Sequence, residues 1–276
     1  VPLALSVTVG SVAGITAGRA PADTAGVTDT AAGVVTSSAW PDATNTGYLG
    51  AQASLSSTAA FTAGTAGATY QGLLVSGPIT VTAANVTIRN CVINAGYWGI
   101  EVTSAASGLL VEDCTIIGGG NCGVMDDGYA GNVIYRRLNI SGGSDGMKLS
   151  GSYRTIEDCF IHDLYVEAGV SHNDGIQCYS GDHFTFNHNR IDSPDTSCIA
   201  MFQGQGAWEA ITITSNRLGG GAIYPLYAPG TSGTPPIVVT GNVFAEWGNQ
   251  PVTDWVVASG WEWSGNTDLS GQPINI

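Results

Sequence analysis

Eight short phrases follow one another along the second two-thirds of the chain. They are VTIRNCVI (86–93), LLVEDCTI (109–116), VIYRRLNI (133–140), RTIEDCFI (154–161), FTFNHNRI (184–191), ITITSNRL (211–218), IVVTGNVF (237–244) and WEWSGNTD (261–268). Aligned on one another, they place Cys91, Cys114, Leu138, Cys159, Asn189, Asn216, Asn242 and Asn266 in one column, at intervals of 23, 24, 21, 30, 27, 26 and 24 residues. A fixed phrase at a drifting period in this range marks a solenoid, in which each repeat buries its apolar face against its neighbours.

A second phrase follows each first one: GIEV (99–102), GVMD (123–126), GMKL (146–149), GIQC (175–178), CIAM (198–201) and PLYA (225–228). From the column to the apolar residue in that phrase the distance is 9, 10, 9, 17, 10 and 10 residues, so one coil carries about seven extra residues. Short strands separated by bends and stacked in parallel at ~4.8 Å make a parallel β-helix. The expected fold is therefore all-β: a single-stranded, right-handed parallel β-helix with a low-complexity N-terminal extension. Period-2 alternation points Ile88, Cys91 and Ile93 inward, and Arg89 and Val92 outward. Buried Asn would be costly singly, but stacked in register each amide can bond the next. Two outward columns follow from the same alignment. One runs Arg89, Glu112, Arg136, Glu157, Asn187, alternating in sign, and reads as surface ion pairing. The other runs Glu101, Met125, Lys148, Gln177, Ala200, Tyr227, beneath the inserted loop.

Composition narrows the function. The 276 residues include 39 Gly, only 11% are charged, and the net charge is −14 with Lys148 the only lysine. Nucleic-acid binding needs clustered Lys and Arg, which this chain lacks. An anionic polymer would be repelled at long range unless a local basic group or a metal intervened. Cys91, Cys114 and Cys159 sit at the inward position, where a thiol acts as a small hydrophobe rather than a disulfide partner. The alignment leaves open whether Cys122, Cys178 and Cys198 pair. No apolar run approaches a membrane span, so no membrane insertion is expected. The start, VPLALSVTVGSVAG, has no basic n-region and reads as an interior or processed start.

Two units are expected: a low-complexity arm or connector over 1–38, and the β-helix over 39–276. The arm holds short alternating pieces such as Leu5–Val9 but too little apolar surface for a core of its own. WPDATNTGYLG (40–50) is turn-rich and opens the solenoid. Trp247, Trp255, Trp261 and Trp263 are placed to cap its last coil, which would otherwise expose the core and an open strand edge.

All four histidines fall between 162 and 188, and the long interval contains HDLYVEAGVSHNDG (162–175). Stacking brings Asp145 beside Asp174 and Lys148 beside Gln177, with His172 close by. The catalytic candidates are Asp145, Lys148, His172 and Asp174. The binding candidates are His162, Tyr165, Glu167, Gln177, Tyr179, Trp98 and Tyr227. Three chemistries fit. A carboxylate pair suits a glycosidase, retaining or inverting according to its separation. Lys148 or His172 could remove a proton beside a uronic-acid carboxylate, with Tyr165 or Tyr179 returning one. His162, His172, Asp163 and Asp174 could hold a metal, but no ligand spacing supports this, so neither metal nor cofactor is expected. A plain alternative makes Asp145 and Asp174 turn residues that cap bends.

WPDATNTGY, NVTIRNCVI, SHNDGIQ and the ending WSGNTDLSGQPI resemble the pectate-lyase-like, right-handed parallel β-helix proteins among the minor tail proteins of actinobacterial phages, and related secreted actinobacterial proteins. The resemblance covers about residues 40–276. It implies a virion component at the phage tail, extracellular, that contacts or digests cell-surface polysaccharide. It also implies attachment to other tail proteins through the N-terminal arm, and a homotrimer by analogy with many β-helix tail proteins. The alternative it carries is a secreted polysaccharide lyase or glycoside hydrolase. Pectate lyases of this kind carry acidic calcium ligands and a basic catalytic residue on one strand face. One Lys and no such acidic series speak against calcium-dependent pectate cleavage here, and the family likeness alone does not establish catalysis.

Overall fold

In a computed structural model of the chain, residues 39–128, 131–167, 169–170, 172–202, 208–228, 233–255 and 259–276 are described. The expected arm, including Leu5–Val9, lies outside the described residues. The repeated phrases form a solenoid of about seven turns with three flat faces. Face 1 takes the first half of each phrase, from Thr69–Gln71 and Thr87–Arg89 to Trp261–Ser264. Face 2 takes the second half, from Val92–Ala95 to Thr267–Asp268, and face 3 runs from Trp98–Val102 to Tyr224–Tyr227. The strand Leu73–Val81 spans faces 2 and 3 of the first coil, pairing with both Val92–Ala95 and Trp98–Val102. Every named strand pair is parallel, and within the phrases the register is the one their alignment predicts, as in Ile88↔Val111 and Ile134↔Leu110. The register shifts lie outside them, between Ala59 and Phe61 and between Glu209 and Ile211.

The column from Cys91 to Asn266 is buried throughout, and it lies in the bend between faces 1 and 2. The residue before each of its members is in the left-handed region: Asn90, Asp113, Arg137, Asp158, His188, Ser215, Gly241 and Gly265, with φ between 48° and 65°. Asn, Asp and Gly adopt this conformation readily, whereas Arg137 and Ser215 do so at a steric cost that the stacked neighbours must offset. The lower bends are lined by Cys and Leu. In the upper ones, Asn189 Nδ2 donates to Asn216 Oδ1 at 2.9 Å, and Asn216 to Asn242 and Asn242 to Asn266 at 3.0 Å each. Each of those oxygens also accepts a backbone N–H from the coil before, so the buried amides are satisfied.

Two expectations are corrected in detail. Val92 was expected outward, yet it is only 5% exposed. The segment 40–55 runs back along the outside of face 2. Trp40 stacks on His188 at 5.5 Å, Gly47 N donates to Arg137 O, and Tyr48 N donates to Thr115 Oγ1, one coil from Val92. The expected opening is thus a strap that covers this outward column. In the alternating column of face 1, Arg136 pairs with Glu157 at 2.5 Å and with Glu112 at 3.7 Å, but Arg89 turns instead to Gln71 Oε1. Arg137, outside that column, also joins Glu112, at 3.1 Å.

The six cysteines are all free and buried, which settles Cys122, Cys178 and Cys198 as thiols. At the far end Trp208, Trp255 and Trp261 pack against one another with centroids 5.0–6.1 Å apart. Trp263 lies flat on Phe244 and donates to Ile274 O, so three of the four tryptophans read as a cap, together with Trp208, pack in the last coils.

Candidate functional site

Face 3 brings the main catalytic candidates together. Asp145 and Asp174 begin equivalent strands, Asp145–Leu149 and Asp174–Cys178, and Lys148 lies in register with Gln177. Asp145 Oδ2 is 2.9 Å from Lys148 Nζ, and Asp145 Oδ1 accepts the backbone N–H of Asp174 at 2.7 Å. Asp174 accepts from Ser197 Oγ on one oxygen, at 2.5 Å, and from Gln177 Nε2 on the other, at 3.0 Å. Both carboxyl groups are buried and all four of their oxygens are engaged within the protein.

Burial sets their electrostatics. It pushes the Asp174 carboxyl up to about 7, over the opposing hydrogen bond from Ser197 and with help from the Asp145 charge. It also raises Asp145, in spite of the Asp174 amide and Lys148. Burial works against the Lys148 ammonium too, but Asp145 outweighs it and holds the amine above the ordinary lysine value. Tyr179 is raised by burial against the pull of Lys148, and Asp127 by burial and by Glu101.

The groups that reach solvent here are Lys148, Gln177 and Tyr179, each half-buried, and His172, which is exposed. His172 is exposed, whereas Asp174, two residues on, is buried. Between them Asn173 is buried and donates to Ser144 O and Tyr165 O, anchoring the insertion at the bend that leads into face 3. Tyr165 and Glu167 lie exposed on that insertion.

Aromatic pairs stand at either end of this face. Trp98 begins the strand two coils before Asp145, with Tyr97 against it at 5.2 Å and 60% exposed. Tyr224 begins the strand two coils after Asp174, stacked on Tyr227 at 5.4 Å.

The other histidines disperse. His162 is on face 2, stacked on Phe160 at 3.9 Å and joined to Asp163 and Asn139. His183 stacks on Tyr153, and His188 on Trp40. The metal set of His162, His172, Asp163 and Asp174 is not assembled, because His162 and Asp174 lie on different faces. Among the described residues no three His, Cys, Asp or Glu converge at metal-binding distance.

The sequence reading missed Ser197 and Asp127 at this site. It also missed a buried ion pair in the core, where Arg154 Nε and Nη2 each lie 2.9 Å from Asp126 and Tyr135 donates to the same carboxylate at 2.8 Å. Asp126 is the register partner of Leu149 and Val102, so the repeat pattern showed it only as a polar residue in an apolar column.

These features define a class: a three-faced parallel β-helix with a polar, aromatic-flanked outward strip. The family described as right-handed beta helix region matches residues 76–218, just over half of the chain, and the chain belongs to that family. No curated protein matches it in sequence.

Proposed function

We propose that this protein binds polysaccharide along the outward strip of face 3. The observation that carries the reading is the arrangement itself: Lys148, Gln177 and Tyr179 offer polar contacts at the centre, between aromatic pairs two coils away on either side. Flat rings with a few fixed polar groups between them suit sugar rings, which present apolar faces and hydroxyl edges. Asp145 and Asp174 hold Lys148 and Gln177 in place. His162, set on face 2, is not part of this strip.

A lyase or hydrolase draws support from one feature, an Asp174 carboxyl near 7 beside a charged neighbour. Against it, neither carboxylate presents a free, solvent-facing oxygen to a substrate. Binding without cleavage is the reading the geometry favours. Placement at a phage tail, attachment through residues 1–38, trimerisation and a host-surface glycan as ligand rest on the sequence resemblance alone, and they form the biological half of the proposal.

Incubating the purified chain with a panel of glycans tests the first half. Retention on at least one glycan, weakened at least tenfold by Tyr227→Ala in a variant that keeps its thermal midpoint, is the expected result. No retention on any glycan would overturn it. Purified protein that fails to coat actinobacterial cells would count against the second half.

A further inference from the structure

We infer that the face 3 strip takes an uncharged oligosaccharide lying along the solenoid axis, and that it rejects polyuronates. This rests on the glycan-binding reading above and specifies its ligand. The charge balance of the strip decides the class. Among the described residues its one Lys or Arg, Lys148, is committed to Asp145 at 2.9 Å, with its side chain 13% exposed. Glu101 occupies the same outward column two coils earlier. The exposed Asp127 directly follows the strand between them, and its backbone N–H donates to Val102 O, next to Glu101. Three carboxylates, Glu101, Asp127 and Asp145, thus face one ammonium before Asp174 is counted. The chain as a whole carries −14, so a uronate polymer meets repulsion both at a distance and in the strip.

The shape sets the direction. From Trp98 through Cys122, Asp145, Asp174 and Ser197 to Tyr224 there are five steps between neighbouring coils. At ~4.8 Å per step the two aromatic ends stand roughly 24 Å apart. That length suits an oligosaccharide of several sugars, stacked at both ends and hydrogen-bonded at Gln177 and Tyr179 between them.

Affinity electrophoresis of the full chain, in gels containing mannan, arabinan or dextran and in gels containing polygalacturonate or alginate, tests this at low and at moderate salt. Retention by a neutral polymer, little changed by salt, and none by either uronate is the expected result. Retention by polygalacturonate or alginate with none by the neutral polymers would overturn the inference while leaving glycan binding intact. Retention by none of the five would instead remove the glycan-binding reading and this inference with it. In a Glu101→Gln, Asp127→Asn double variant, uronate retention should become measurable at low salt and disappear again at moderate salt, as expected when exposed charges a few ångströms from the ligand are removed. Unchanged uronate exclusion in that variant would overturn the charge argument.

Discussion

The backbone amide of Asp174 donates to Asp145 Oδ1 across one coil, while Lys148 holds Asp145 Oδ2 from the side. The Asp145 carboxylate is thus a brace between coils as well as one half of an ion pair. Lys148→Met would leave a carboxylate only 4% exposed without its counter-charge, at a cost of about 2–4 kcal/mol. Asp145→Asn keeps an oxygen for the Asp174 amide and leaves Lys148 able to extend into water, so about 1–2 kcal/mol is expected. The double variant should lose less than the sum of the two, and denaturant titrations of all four proteins would measure the difference. Strict additivity would mean that the pair is not coupled.

Asp174 makes stability fall as pH rises. Its carboxyl sits at about 7 in the folded chain against 3.8 as the ordinary value. The folded state therefore favours the protonated form. Its contribution is fully present below about pH 4 and is lost as pH climbs toward and through 7, by up to ~1.4 kcal/mol per pH unit. Asp145, also raised, adds a slope of the same sign, so the variant is needed to separate them. Asp174→Asn resembles the neutral form and should flatten the fall in denaturation midpoint between pH 4 and 8. An unchanged slope in that variant would show that Asp174 ionises normally.

Much of this was legible because stacking turns sequence alignment into spatial register. Once GMKL (146–149) and GIQC (175–178) align, Lys148 and Gln177 must be neighbours, as they are. What alignment cannot show is depth. Asp145 and Asp174 are read from the sequence as catalytic candidates or as turn residues, and both are buried: Asp174 is engaged by the Ser197 hydroxyl and the Gln177 amide, and Asp145 by Lys148 and the Asp174 amide. Val92 looked exposed because the strap that covers face 2 comes from residues outside the repeat. The histidines looked clustered because they are close in sequence, but a three-faced coil sends residues about ten apart to different sides.

The thiols should be silent in the native protein. Cys114 and Cys159 donate to Glu112 O and Glu157 O, and burial raises both, Cys159 to about 12. Cys122 is raised to about 12 for the same reason, and Cys178 and Cys198 are raised as well. Cys91 is held lower through its hydrogen bond with Cys114, but it too is fully buried. A thiolate is the reactive form, and none is both populated and accessible. Ellman's reagent should detect no thiol in native protein at pH 8 and all six after denaturation, and reductant should leave the thermal midpoint unchanged. Rapid native labelling of any cysteine would contradict the burial described for it.

The Asn column should be most sensitive at its middle. Asn216 Oδ1 accepts from Asn189 N and Nδ2, while its own Nδ2 donates to Phe186 O, Thr214 O and Asn242 Oδ1. Asn216→Ala takes the side-chain partners from Asn189 N, Asn189 Nδ2 and Phe186 O on the coil before, in a site with no solvent access, and each group left stranded costs about 1–3 kcal/mol. Asn266 lies in the last coil. Its side chain accepts from Asn242 N and Nδ2 and donates to Val239 O, with no further amide above it. Asn266→Ala should therefore fold and lose less, while Asn216→Ala should lose several kcal/mol or fail to reach the protease-resistant state. Limited proteolysis and thermal midpoints of the two variants would rank them. Equal losses would mean that each amide acts alone, whereas the expected order would show that the column works as a connected ladder.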